Sequence, residues 1–146
     1  MTDTGAVEAA FGRIATTRMA GMPILNTALS VEVVGLRRWE DRQVCVLVTP
    51  WCINLVVLLP SGTAPLALGE HRSWRFPSGS YEFMGGSEPE CGDFDFCSLY
   101  SPVDEFATQA DARAVAQAVM EQLFTSPRLS RRALFSGVVD PATGPA

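Results

Sequence analysis

Two aliphatic runs near the middle of the chain, Val44–Val48 and Leu55–Leu59, show no polar alternation. Continuous runs of this length are the pattern of strands buried on both faces. They cannot form one strand, because Thr49-Pro50-Trp51-Cys52-Ile53-Asn54 lies between them. Pro50 has no amide donor and restrains Thr49, so the first ladder must stop there. Upstream, Val7, Ala10, Phe11 and Ile14 recur at helical spacing and predict a helix over residues 3–20, capped by Asp3 or Thr4 and ended by Gly21 and Pro23. Leu29–Leu36 alternates in part and is β-branched at Val31, Val33 and Val34, which predicts a first strand. The charged turn Arg37–Arg42 is too short for a parallel crossover, so the first three strands should form an antiparallel meander.

Residues 60–69 read as a loop punctuated by Pro60, Gly62, Pro65 and Gly69. Three short strands are then expected: His71–Phe76, with Trp74 and Phe76 on one side; Tyr81–Met84, with Tyr81 and Phe83 on one side; and Phe94–Leu99. Gly85-Gly86 should break the pattern between the last two. Thr108–Asp111 opens a second helix whose stripe is Ala112, Val115, Ala116, Val119, Leu123 and Phe124, ending at Ser126-Pro127. The expectation is an α+β fold: a mainly antiparallel sheet of about five or six strands, with an N-terminal and a C-terminal helix packed on one of its faces. Residues 1–137 should form a single domain and residues 138–146 a flexible tail.

Composition narrows the function. With 47% hydrophobic and 18% charged residues in 15.7 kDa, the chain suits a globular protein. The net charge is -5, and every cation is Arg. An acidic chain with no basic cluster is a poor nucleic-acid binder, and the lack of Lys excludes a Schiff base. The N-terminus lacks a basic n-region and an apolar h-region, and the longest apolar run is interrupted by Pro50 and Asn54. A cytoplasmic protein without membrane insertion is expected, with Cys45, Cys52, Cys91 and Cys97 reduced. These thiols lack C-x-x-C spacing, so no metal site or cofactor is expected.

Catalysis finds little support. His71 is the one histidine, at the start of a strand, with no signature pairing it to a thiol. Gly85-Gly86 lacks phosphate-loop spacing. Glu88, Glu90, Asp93 and Asp95 do not fit a calcium loop and read as a solvated connection. What remains is a set of apolar groups at predicted turns: Met19, Met22, Trp51, Ile53, Phe83 and Phe106. Each alone is by default a core residue. Trp51 is the exception, because Pro50 and Asn54 bracket it in a turn, where an aromatic side chain suits a pocket or a partner.

Several segments carry a family resemblance: Arg18-Met-Ala-Gly-Met-Pro-Ile-Leu-Asn26 with Ala28-Leu29, Val31–Gly35, Leu47-Val-Thr-Pro-Trp-Cys-Ile-Asn-Leu55, Cys97-Ser-Leu-Tyr-Ser-Pro102 with Glu105-Phe106, and Ser130-Arg131-Arg132. In this order they resemble the HybE/HupJ family of [NiFe]-hydrogenase assembly chaperones from about Gly12 to Phe135. Two departures stand out. Thr27 replaces the family's usual proline, and Cys52-Ile53 replaces Phe-Met in its W-F-M-N string. Some relatives also carry a rubredoxin domain, which is not expected here.

The resemblance implies a non-enzymatic protein that binds hydrogenase subunit precursors before export. The implied partner is the small subunit, with its twin-arginine signal and iron–sulfur clusters, or in some members the large subunit or another maturation protein. It also implies a partner-binding set of Arg18, Met19, Pro23, Asn26, Pro50, Trp51, Cys52, Asn54, Cys97, Ser98, Pro102 and Phe106. Two other readings stand beside it: a redox-sensing thiol at Cys52, with Cys91 or Cys97 as its partner, and a small-molecule pocket at the Trp51 mouth. Ser130-Arg131-Arg132 itself resembles a twin-arginine motif at the wrong end of the chain. Its arginines either complement a helix carbonyl end or place the tail on the chaperone's own binding surface.

Overall fold

A strand that is aliphatic on both sides needs a cover on both sides, and the computed structural model, which describes residues 4–60 and 62–126, provides one on each. The elements are α1 (Thr4–Thr16), β1 (Glu32–Trp39), β2 (Arg42–Val48), β3 (Ile53–Leu58), β4 (His71–Phe76), β5 (Gly79–Glu88), β6 (Gly92–Tyr100) and α2 (Gln109–Leu123). The six strands pair antiparallel in the order β1-β2-β3-β6-β5-β4. Two meanders are thus joined edge to edge, with β6 inserted beside β3. Val44, Val46, Val48, Leu55 and Val57 pack in one core with Ala112, Ala116 and Met120 of α2. Cys45, Leu47, Val56 and Leu58 pack in a second core with Val7 and Ala10 of α1.

The two helices therefore lie on opposite faces, and the expectation that both cover one face is corrected. The physical reason is the period of two along a strand. With a single helical layer, Cys45, Leu47 and Val56 would face water, at a cost of about 1.5–3 kcal/mol for each large aliphatic side chain.

On the α2 side the sheet curls. Trp39 at the end of β1 reaches Phe76 at the end of β4, with centroids 6.4 Å apart, and the Arg42 guanidinium lies 4.3 Å from the Trp74 ring centroid. Side chains from opposite edge strands, Trp39 of β1 and Phe76 of β4, thus meet over this face of the sheet. Phe124, just past α2, fills the junction 4.9 Å from Trp39 and 5.9 Å from Phe76.

Several local expectations change. Helix α1 stops at Thr16, and Thr4 is its first residue rather than its cap; Asp3 lies outside the described residues. Ile53 and Asn54 belong to β3, and Ile53, Phe83 and Phe106 are core. Gly85 and Gly86 do not break a strand but lie within β5. A Cβ at Gly85 would come within 2.7 Å of Leu66 Cβ, and one at Gly86 within 2.6 Å of the Phe94 ring, so close packing requires glycine at both. Asp95 is not in a solvated loop either. It is fully buried in β6, where its Oδ2 accepts from Trp74 Nε1 at 2.8 Å and lies 2.9 Å from Arg72 Nε, an ion pair outside hydrogen-bond geometry. Ser130-Arg131-Arg132 and the tail lie outside the described residues. No helix among the described residues is long and apolar enough to cross a membrane.

Strand β1 shifts register between Val34 and Arg37, and Gly35 there has φ +71°. A Cβ on Gly35 would lie 2.9 Å from Met120 Cγ of α2. Gly35→Ala should therefore lower unfolding stability by about 1–3 kcal/mol through strain and overpacking. An unchanged urea midpoint would contradict this seating of α2.

Candidate functional site

The reversal between β2 and β3 is organised by Thr49, which is completely buried. Its Oγ1 accepts from the Trp51 and Cys52 amides at 3.2 and 2.9 Å and donates to the Cys52 carbonyl at 2.8 Å. The Thr49 amide donates to the same carbonyl at 2.9 Å. A hydroxyl used three times closes the turn tightly, and Trp51 within it is half-buried. The indole N–H has no hydrogen-bond partner among the described residues.

Asn26 ties this turn to two distant segments. Its amide donates to the Pro50 carbonyl at 2.7 Å, and its Nδ2 donates to the Val103 and Phe106 carbonyls at 2.9 and 2.8 Å. Its Oδ1 accepts from the Ala28 amide at 3.0 Å. One side chain therefore satisfies three backbone groups, a role that no substitution by an apolar residue could fill.

Beside the turn, on the α1 face, runs a groove of about 420 Å³. Phe11 and Ile14 of α1 form one wall, Gly86–Glu88 of β5 the other, and Phe94, Phe96 and Val56 the floor. Trp51, Cys52, Asn54, Ser98 and Ser101 close one end. At the other, Glu88 is paired with Arg13 at 2.7 Å and Arg18 at 2.9 Å, while Arg13 also grips Glu90 at 2.7 Å. The hydrogen bonds to Glu90 and then to Glu88 raise the Arg13 pKa, and the bond from Arg13 lowers that of Glu90. Exposed apolar side chains flank the Trp51 end: Met22 at 43% and Ile24 at 51% exposure, on the segment leading to Asn26.

The chain matches the family described as "[NiFe]-hydrogenase assembly, chaperone, HybE" over residues 2–137. It belongs to that family. Its relatives include "Protein HoxT" of Cupriavidus necator, 43% identical over 83% of this chain and 75% of that one. "Hydrogenase expression/formation protein HupT" of Azotobacter chroococcum is 39% identical over 86% of this chain and 89% of that one. The solution structure of HybE from Escherichia coli shares the fold, with a TM-score of 0.68, 23% identity, and coverage of 86% of this chain and 80% of that one.

Within this HybE-family chain, the residues expected to bind a partner divide between the two faces. Trp51, Cys52, Asn54 and Ser98 line the groove, and Arg18 reaches its Glu88 end. Met19, Pro23, Asn26 and Pro50 lie along the segments that border the Trp51 turn, and Pro102 is exposed just past Ser101. Cys97 instead lines a cleft of about 470 Å³ on the other face, between α2 and β6, with Leu55, Leu99, Val115 and Val119. Phe106 is buried against Tyr100, with centroids 5.2 Å apart. Thr49, Glu88, Arg13 and the wall of Phe11 and Ile14 were not among the residues expected to bind a partner. Thr49 could have been found as a Ser/Thr turn residue before proline. The ion pairs join residues some 70 positions apart and leave no local signal.

The four cysteines are free thiols. Burial raises the Cys52 pKa, outweighing hydrogen bonds with Thr49 and Asn54 that lower it. Burial also raises Cys97, pushes Cys91 up to about 11 and Cys45 up to about 12. A sensor thiol needs the opposite shift. Cys52 and Cys97 line cavities on opposite faces of the sheet. Since reaction follows the thiolate, native Cys52 should be alkylated at pH 8 more slowly than in the unfolded chain. Mass spectrometry of iodoacetamide-labelled peptides over time checks this, and faster labelling in the native state would restore the redox reading.

Proposed function

We propose that the chain is a non-enzymatic cytoplasmic chaperone. On this reading it holds a [NiFe]-hydrogenase subunit precursor, chiefly the small subunit with its twin-arginine signal, before export. The observation that carries the reading is Trp51: a large, half-buried aromatic side chain that lines an open apolar groove, on a turn whose backbone a buried hydroxyl fixes. Rigid aromatic anchors of this kind dominate the energetics of protein interfaces, because little entropy is lost when they are buried. Met22 and Ile24 extend the surface with adaptable apolar contacts. A net charge of -5 favours approach of a basic segment. The groove's lining of aromatic, aliphatic and small polar side chains offers apolar surface and hydrogen bonds to a polypeptide.

Trp51→Ala should weaken retention of the small-subunit precursor by about tenfold or more, the usual cost of removing an interface aromatic anchor. Its thermal midpoint should stay near wild type. Affinity capture from a hydrogenase-expressing host measures both subunits at once. Recovery of neither by the wild-type protein would sink this function, and equal recovery by Trp51→Ala would remove Trp51 from the interface.

A further inference from the structure

We infer that Arg18 is a displaceable occupant of a guanidinium seat at the groove mouth, and that an arginine in an apolar segment of the client replaces it on Glu88. The inference rests on the reading of the groove as the client surface. Glu88 is the one charged residue among those lining the groove, and its side chain is only 14% exposed. Its carboxylate accepts from two guanidiniums: Arg13 Nη2 at 2.7 Å, and Arg18 Nη2 at 2.9 and 3.0 Å to its two oxygens.

The two arginines are not equivalent. Arg13 projects from α1 and is anchored independently by Glu90, at 2.7 Å through Nε and 3.0 Å through Nη2. Arg18 lies past the end of α1 in a run of turns, with 58% of its side chain exposed. Among the described residues, its side chain bonds only to Glu88. An exposed pair of this kind adds little and immobilises a long side chain, so Arg18 leaves easily. Glu88 keeps Arg13 when Arg18 leaves, and the oxygen that Arg18 alone contacts then stands open to another cation. An incoming guanidinium conserves the charge count and can place one nitrogen against both Glu88 oxygens, as Arg18 Nη2 does.

The rest of the groove defines what must accompany that arginine. Apolar walls at Phe11 and Ile14 and a floor at Phe96 lead away from Glu88 towards Trp51 at the far end. A segment with one arginine followed by large apolar side chains satisfies both ends. A segment without the arginine leaves Arg18 in place, so Arg18 contributes discrimination as well as filling the seat.

Calorimetric titration tests this with a synthetic peptide, acetyl-Gly-Arg-Gly-Phe-Leu-Gly-amide, and its counterpart carrying Gln for Arg. Arg18→Ala should bind the Arg peptide about threefold to fivefold more tightly than wild type, the scale on which an exposed pair competes. It should bind the Gln peptide no better than wild type does. Adding Glu88→Gln should abolish the gain. An Arg18→Ala variant with a wild-type thermal midpoint that binds the Arg peptide equally, more weakly or not at all overturns the inference. So does a gain that extends to the Gln peptide. Failure of the chaperone reading is separately visible, as wild-type protein that captures neither hydrogenase subunit.

Discussion

Strands β2 and β3 can withdraw their aliphatic side chains from water only if a layer lies on each face of the sheet, and the rest of the molecule follows from that requirement. Helix α1 supplies one layer through Val7 and Ala10, and α2 the other through Ala112, Ala116 and Met120. The small residues at these contacts let each helix approach the sheet closely. Because both faces are covered, the link between the two strands emerges at the sheet's end, where Thr49 secures it from inside.

That arrangement makes the Trp51 turn rigid without making it buried. Asn26 draws together the Pro50 turn, through its backbone amide, and the approach to β1 and the Val103–Phe106 segment, through its side chain, so three irregular stretches share one set of hydrogen bonds. The segment from Arg18 to Asn26 consequently borders the groove from its ion-paired end to its aromatic end. A surface held in this way loses little conformational freedom when it receives a partner.

Patterns that repeat along the chain were legible, and contacts between distant residues were not. Continuous apolar runs identified β2 and β3, Pro50 marked the end of β2, and the Ala112–Leu123 stripe identified α2. The opposite placement of the helices was implicit in two-sided burial, yet α+β habit pointed to one face. Gly85-Gly86 was misleading because glycine within a strand and glycine in a turn look alike until Leu66 and Phe94 are seen against them. Asp95 looked solvated because its partners, Arg72 and Trp74, come from β4, which lies beyond β5 in the sheet and some twenty residues away in sequence. At the site, Trp51 and Asn54 were legible from the strand break. Cys97 and Phe106 shared a motif with Ser98 and Pro102, but strand alternation turns Cys97 to the opposite face, and Phe106 lies in the core.

Amide hydrogen exchange of the protein with and without the small-subunit precursor would report whether that precursor docks on the α1 face, at the Trp51 end of the groove. New protection should concentrate at residues 22–24, 51–54 and 98–101, with α2 unchanged. Protection confined to Val115–Leu123 and Cys97, lining the cleft on the other face, would contradict it.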